Sequence, residues 1–173
     1  MSVPVRTDVL VLGGGVIGTA TAFFLRLVHG RSVTLLEREL LGRQASGTNF
    51  GGVRRQGRTP QQMPIAHRAL RTWSRVRELL GEDLEFRPYG HLRVCYSQER
   101  ADVMAEYARD IRHAGLELTL LTPQQLQRHV GIFSDKIVMG SLSPEDGHAN
   151  PRIAAPAFAR AARRLGAELH EHA

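Results

Sequence analysis

The 173-residue chain contains one cysteine, Cys95, so no disulfide framework holds it together, because a bridge needs two thiols. Such a chain suits a reducing compartment, and the cytoplasm is its expected location. Lysine is as scarce, Lys136 being the only one among 23 basic residues. Aromatic residues make up 6% of the chain, too few beside the arginines to build a base-stacking platform, so nucleic acid is not an expected partner. The uncharged run from Val9 to Leu25 is 17 residues long and broken by three consecutive glycines, so no transmembrane segment is expected. No histidine pair sits at a metal-ligand spacing, and no serine elbow suggests a hydrolase. Carboxylates are absent from Leu40 to Arg77, where eight arginines (43, 54, 55, 58, 68, 71, 75, 77) fall. The net charge is +6, so that stretch holds the whole excess and the remainder is −2. What remains is ordinary: 42% hydrophobic and 23% charged residues describe a globular chain of one domain with room for a small second lobe.

Residues 8–12, Asp-Val-Leu-Val-Leu, read as a parallel strand buried on both faces. Gly13-Gly14-Gly15-Val16-Ile17-Gly18 follows, and behind it Ile17, Ala20, Phe24, Leu27 and Val28 recur at helical spacing up to a stop at His29-Gly30. A second strand from Ser32 to Leu36 ends in Glu37, 19 residues after the last glycine of the motif. Strand, G-x-G-x-x-G, helix, strand and acid together form a dinucleotide-binding unit. Gly13 allows the tight turn, Gly15 lets backbone approach a diphosphate, and Gly18 lets helix and strand pack closely. The diphosphate would sit on the helix N-terminus near Val16 and Ile17. Glu37 can accept the adenosine ribose hydroxyls and disfavours a 2′-phosphate, which leaves NAD or FAD. Arg38 would lie along the adenosine.

Between Gly42 and Arg58 the chain holds five glycines and five small or amide polar residues in 17 positions, a composition unsuited to a core element. A loop so rich in backbone donors could follow a second phosphate and a flavin ring, with Ser46 and Asn49 offering short polar groups and Gly51 and Gly52 bare backbone. A plain surface loop is the alternative. Arg54 could approach a flavin or a substrate carboxylate, although a solvated arginine is the commoner outcome.

Gly13 to Gly18, Glu37 and Ala45-Ser46-Gly47-Thr48-Asn49-Phe50-Gly51-Gly52-Val53-Arg54 resemble the FAD-binding N-terminal portion of the D-amino-acid oxidase-like flavoproteins. That family includes glycine and sarcosine oxidases, D-amino-acid dehydrogenases and the flavin subunits of opine oxidases. Asn49 to Arg58 is most similar to its opine oxidase and sarcosine oxidase members, and Pro144 to Pro151 also fits the family's pattern. The resemblance implies FAD held non-covalently, since the loop has no histidine or cysteine for attachment. It implies contacts from Gly13, Gly15, Val16, Ile17, Gly18, Glu37, Arg38, Ser46, Asn49, Gly51 and Gly52. It further implies oxidation of the C–N bond of a small amine or amino-acid substrate by hydride transfer to the flavin. No catalytic residue and no metal ligand is assigned, and the chain alone is expected to be inactive.

The implied fold is α/β: a Rossmann-like βαβ unit over residues 1–60, a linker helix with the first part of an α+β substrate domain over 61–145, and a helix returning to the FAD-binding domain over 146–173. This is an incomplete fold, to which a partner chain could supply the missing half. Within it the sequence predicts one helix from 60 to 80 and strands at His91–Tyr96, Leu116–Leu121 and near Lys136–Leu142. Helices are expected at Gln98–His113, after the Thr122-Pro123 cap, and from Asn150-Pro151 to Arg164, before a strand in 167–172. His91 and His148 flank the substrate lobe, where structural roles are the commoner ones. Two readings stay beside the flavoenzyme: a non-catalytic subunit that binds a dinucleotide only with a partner, and a small NAD-binding Rossmann protein.

Overall fold

The computed structural model describes residues 6–173, the side chain of His129 excepted. In chain order the elements are β1 (Val9–Leu12), α1 (Val16–His29), β2 (Val33–Glu37), α2 (Ala45–Thr48), β3 (Gly52–Val53), a 3-10 turn (Pro60–Gln62), α3 (Met63–Ser74), α4 (Val76–Leu80), β4 (His91–Cys95), α5 (Gln98–Arg112), β5 (Thr119–Leu121), α6 (Pro123–Val130), β6 (Met139–Ser143), β7 (Gly147–His148), α7 (Pro151–Arg164) and β8 (Glu168–Glu171). They divide into two compact units. The first runs to Gly52 and includes Arg75–Phe86 and Ala149–Ala173; the second is Val53–Ser74 with Arg87–His148.

In the first unit a parallel sheet has the order β1-β2-β8, with Val9 opposite Val33 and Thr34 opposite Glu168. Gly30 ends α1 in the left-handed conformation at φ 59°, its N–H donating to the Arg26 carbonyl at 3.2 Å, the stop that His29-Gly30 predicts. α7 opens as Asn150-Pro151 predicts: the Asn150 side chain accepts from Arg152 N at 3.0 Å, and proline takes the first helical position. Six of the seven buried residues of α7 are alanines, and these small side chains let it approach α1 closely. At that contact Phe23 and Phe158 meet edge to face, with ring centroids 5.8 Å apart.

Two expectations change here. Val11 faces Gly18 of α1, which leaves Leu10 and Leu12 on the opposite face, 53% and 76% exposed, so β1 is not buried on both faces. α1 and α7 pack together against one face of the sheet, and none of the described residues covers Leu10 and Leu12. The buried side of α1 is likewise Thr19, Ala22 and Phe23, whereas Ile17, Leu27 and Val28 from the expected stripe are exposed. The partner helix α7 selects the buried stripe, and the periodicity of α1 alone does not reveal it.

In the second unit an antiparallel sheet has the order β4-β6-β5. Cys95 packs on Ala101 and Met104 of α5, while Met63, Ala108, Ile111, Leu116 and Leu118 join α3 to α5. Leu92 and Val94, alternating with Cys95, pack against Leu126 of α6 and its neighbours Leu121 and Ile137. The single helix expected over 60–80 is a 3-10 turn and two helices broken at Arg75 (φ −113°, ψ 10°). Before the break the hydroxyls of Thr72 and Ser74 donate to the Arg68 and Arg71 carbonyls, drawing acceptors out of the regular ladder. The strand expected at Leu116–Leu121 shrinks to Thr119–Leu121, because Leu116 and Leu118 turn into the α3–α5 core. Among the described residues no helix is long and apolar enough to cross a membrane.

Candidate functional site

The chain from β1 to α1 puts three backbone donors at one point. Around the fingerprint, Gly13 N donates to the Leu36 carbonyl at 2.8 Å and Gly14 N to Glu37 Oε2 at 2.6 Å. Val16 N donates to Ser46 Oγ at 2.9 Å, and Thr19 N to the Gly15 carbonyl at 3.0 Å. The N–H groups of Gly15, Ile17 and Gly18 have no acceptor among the described residues. They lie at the positive end of a 14-residue helix with no acidic residue in its first turn, an arrangement that fits an anion. The glycines are sterically required. A Cβ on Gly18 would fall 2.0 Å from the Gly13 carbonyl oxygen, and one on Gly15 would fall 2.9 Å from Ser46 Oγ.

Glu37 is buried at the end of β2, and each of its oxygens accepts one backbone N–H, from Gly14 and from Glu39 at 2.9 Å. The Glu39 N–H first, and the Gly14 N–H after it, hold the carboxyl below its usual range against an opposing desolvation, so it is ionised at neutral pH. A carboxylate offers about four lone-pair sites, so acceptor capacity remains after these two bonds. Arg38 beside it is exposed, its Nε 3.8 Å from Glu39 Oε1.

The glycine-rich loop is held to this turn from several points. Gly42 N donates to the Gly14 carbonyl at 2.9 Å, and Ser46 reaches Val16 from the one-turn helix α2. Asn49 serves the loop itself: its Nδ2 donates to the Ala45 and Ser46 carbonyls, both at 2.9 Å, and its Oδ1 accepts from Gly51 N at 2.7 Å. At φ 69° Gly51 brings its backbone so near Ala149 that a Cβ would lie 2.0 Å from the Ala149 carbonyl oxygen. Gly52 faces open space, with nothing within 4 Å of a Cβ. The structure therefore brings Gly13 to Gly18, Glu37 and Ser46 into one cluster; Asn49 and Gly51 shape the loop, and Arg38 and Ile17 are exposed around it.

Sequence reasoning missed Arg152. With Arg43 it lines a cavity of about 760 Å³ beside Gly42, Gly47, Thr48 and Pro156. Only the packing of α2 on α7 brings Arg152 there; the sequence signal was the Asn150-Pro151 cap, which places Arg152 in the first turn of α7. In the second unit the structure assigns His91 a structural partner. The fully buried Asp146 accepts from Arg55 N and Gln56 N, both at 2.9 Å, and from Arg55 Nε at 3.1 Å. Gln56 Oε1 then accepts from His91 Nδ1 at 2.9 Å. Burial first, then the Arg54 and Arg93 charges, push the His91 imidazole below 6.5, while Asp146 pulls the other way. His148 is exposed, 6.1 Å from the Tyr89 ring. No cluster of histidine, cysteine or carboxylate side chains among the described residues could hold a metal ion.

The family model of the FAD dependent oxidoreductases, DAO, matches residues 8–173, and the chain belongs to that family. FAD is the family's cofactor, as the resemblance implies. The 4-methylaminobutanoate oxidase (formaldehyde-forming) of Paenarthrobacter nicotinovorans is 30% identical over 171 residues, covering 98% of this chain and 21% of that protein. The mitochondrial dimethylglycine dehydrogenase of Rattus norvegicus is 26% identical, covering 95% of this chain and 19% of its own length. Among solved structures, L-proline dehydrogenase from P. horikoshii matches 98% of this chain and 45% of its own at a TM-score of 0.91 and 26% identity. Glycine oxidase from Geobacillus kaustophilus matches 96% and 47% at 0.89 and 26% identity. The chain thus spans about a fifth of those two curated relatives and under half of those two solved chains, and its α/β fold is a part of theirs.

Proposed function

We propose that this chain is the FAD-binding portion of a flavoprotein that oxidises the C–N bond of an amino acid or secondary amine. The observation that carries the reading is the trio of unengaged N–H groups, Gly15, Ile17 and Gly18, beside an ionised Glu37. In this reading those N–H groups and the Ser46 hydroxyl bind the diphosphate, Glu37 accepts the adenosine ribose hydroxyls, and Arg38 lies along the adenosine. Asn49, Gly51 and Gly52 give the loop the shape and bare backbone needed along a flat ring, and Arg43 and Arg152 add positive charge beside the loop. When bound, FAD supplies the hydride acceptor. The cofactor is held non-covalently, since the loop from Gly42 to Arg58 contains no histidine or cysteine. The substrate pocket would draw on parts of the longer flavoproteins that this chain does not span, or on a partner chain. The buried, unpaired Cys95 is in keeping with a cytoplasmic protein.

FAD titrated into the chain should lose fluorescence saturably and raise the melting temperature, while NAD does neither. Saturable NAD binding with no FAD binding would overturn the cofactor assignment. In the complete protein, anaerobic bleaching of the flavin band by an N-methyl amino acid but not by a hydroxy acid supports C–N oxidation; the reverse would reject it.

A further inference from the structure

The second unit holds a cleft of about 570 Å³ between β4, α5 and the loop at Gly57–Pro60, in the usual size range of small-molecule sites. Its floor is apolar: Cys95, Met104 and Ile111 are buried there, and Val103 forms an exposed wall. Arg100, Val103, Met104, Tyr107 and Ile111 follow each other at one-, three- and four-residue steps, so a single face of α5 lines it. The Tyr107 hydroxyl accepts from Gly57 N at 2.8 Å and donates to the Arg58 carbonyl at 3.0 Å, which pins the loop to α5 and keeps that wall in place.

The charges around the cleft are unbalanced. Arg58, Arg93 and Arg100 line it against Glu99 and Asp110, and none of the three guanidinium groups has an ion-pair or hydrogen-bond partner among the described residues. Two guanidinium groups also converge over Gly57: a Cβ there would lie 2.9 Å from Arg54 Nη1 and 3.6 Å from Arg93 Nη1. Arg54 spends one donor on the Gln56 carbonyl, and Arg93 spends none. Like charges gathered at a point that lacks a side chain repel one another, and an anion placed there reverses the sign of that energy. A planar carboxylate suits the guanidinium fork.

We propose that this cleft is a binding site for a small organic carboxylate, with its anionic head beside Gly57, where Arg93 and Arg58 line the cleft, and its apolar body on Met104 and Val103. The site uses none of the residues of the diphosphate turn and needs no flavin, so it stands or falls independently of the FAD reading.

The test uses the whole chain carrying ¹³C-methyl methionine, titrated with hexanoate, hexylamine and inorganic phosphate. Hexanoate at millimolar concentration should shift the Met104 methyl resonance saturably and leave that of Met63, buried in the α3–α5 core, unmoved. Hexylamine should give no saturable shift, and phosphate should bind more weakly than hexanoate. Arg93→Gln removes one charge-assisted contact and should weaken hexanoate about tenfold. Arg58→Gln, at an exposed loop position, provides a second variant should Arg93→Gln fail to fold. No saturable Met104 shift, an equal response to hexylamine, or unchanged affinity in the arginine variant would overturn the site. Equal affinity for phosphate and hexanoate would overturn the apolar half of the proposal.

Discussion

Replacing Gly18 by alanine tests the dinucleotide turn at its tightest point. The new Cβ would lie 2.0 Å from the Gly13 carbonyl oxygen, and both sides of that contact are backbone. Relief requires the start of α1 to retreat from the β1 turn by roughly 1 Å, and overpacking of this kind costs about 1 to 3 kcal/mol. For a chain of this size that lowers the melting temperature by about 2 to 4 °C per kcal/mol. The same displacement carries the Ile17 and Gly18 N–H groups away from a bound diphosphate by an amount that takes a hydrogen bond near 2.9 Å out of range. Two hydrogen bonds to a charged group are worth about 1.5 to 3 kcal/mol each, so FAD affinity should fall at least a hundredfold. Gly30→Ala is the control. It sits at the other end of the same helix at φ 59° with nothing within 4 Å of a Cβ, so it should cost about 1 kcal/mol of backbone strain and leave FAD binding alone. Quenching of flavin emission and a thermal melt on the same samples give both quantities. A Gly18→Ala protein that binds FAD within a few-fold of the parent, or a Gly30→Ala protein that loses affinity equally, would refute the reasoning.

The other predictions concern single groups. Glu37 is held below its ordinary 4.5 by two backbone N–H groups, so its contribution is present above that pH and fades as pH falls through its lower folded value; melts between pH 5 and 3 should show an acid limb that Glu37→Gln flattens. His91 shows the same sign in a higher pH window. Its folded pKa lies below 6.5, so on acidification the unfolded state takes up the proton first, and urea stability should drop as pH falls below 6.5, an effect absent from His91→Gln. Asp146→Asn neutralises the buried one of the two carboxylates paired with Arg55, leaving it only the exposed Glu145, and should lower unfolding free energy in urea by about 3 kcal/mol.

The parts legible in the sequence are those whose cause is local. Gly30 ends α1 because a left-handed cap needs no tertiary partner, and Asn150-Pro151 and Thr122-Pro123 start helices for the same reason: the Asn150 and Thr122 side chains accept from N–H groups two and three residues on. The fingerprint is legible because turn, helix and acid lie within one βαβ unit. Burial was not legible, because its cause is distant. Phe23 is chosen over Leu27 by Phe158, which lies in another helix 135 residues later. Gln56, an unremarked amide in a polar loop, is fully buried because Asp146 accepts its N–H from 90 residues away.

The carboxylate-free arginine stretch shows how far composition can be carried. Read as one block, it points to a single anion. Individually its members meet different fates. Arg55 is buried and neutralised by Asp146 and Glu145, Arg75 pairs with Glu78 at 3.2 Å, and Arg68, Arg71 and Arg77 are exposed on or beside α3. Arg43 lines the loop cavity of the first unit, whereas in the second Arg54 lies over Gly57 and Arg58 lines the cleft beside it. A guanidinium paired with a buried carboxylate has little field left for a ligand, so the charge that can meet an anion in the two cavities comes from these last three and from the arginines the fold brings beside them, Arg152 in the first unit and Arg93 and Arg100 in the second. These recruits come from outside the stretch and from both units, so the charge that reads as one patch along the chain serves two separate places in the fold. Salt should therefore weaken FAD and hexanoate binding independently, and neutralising Arg93 should change the second without touching the first.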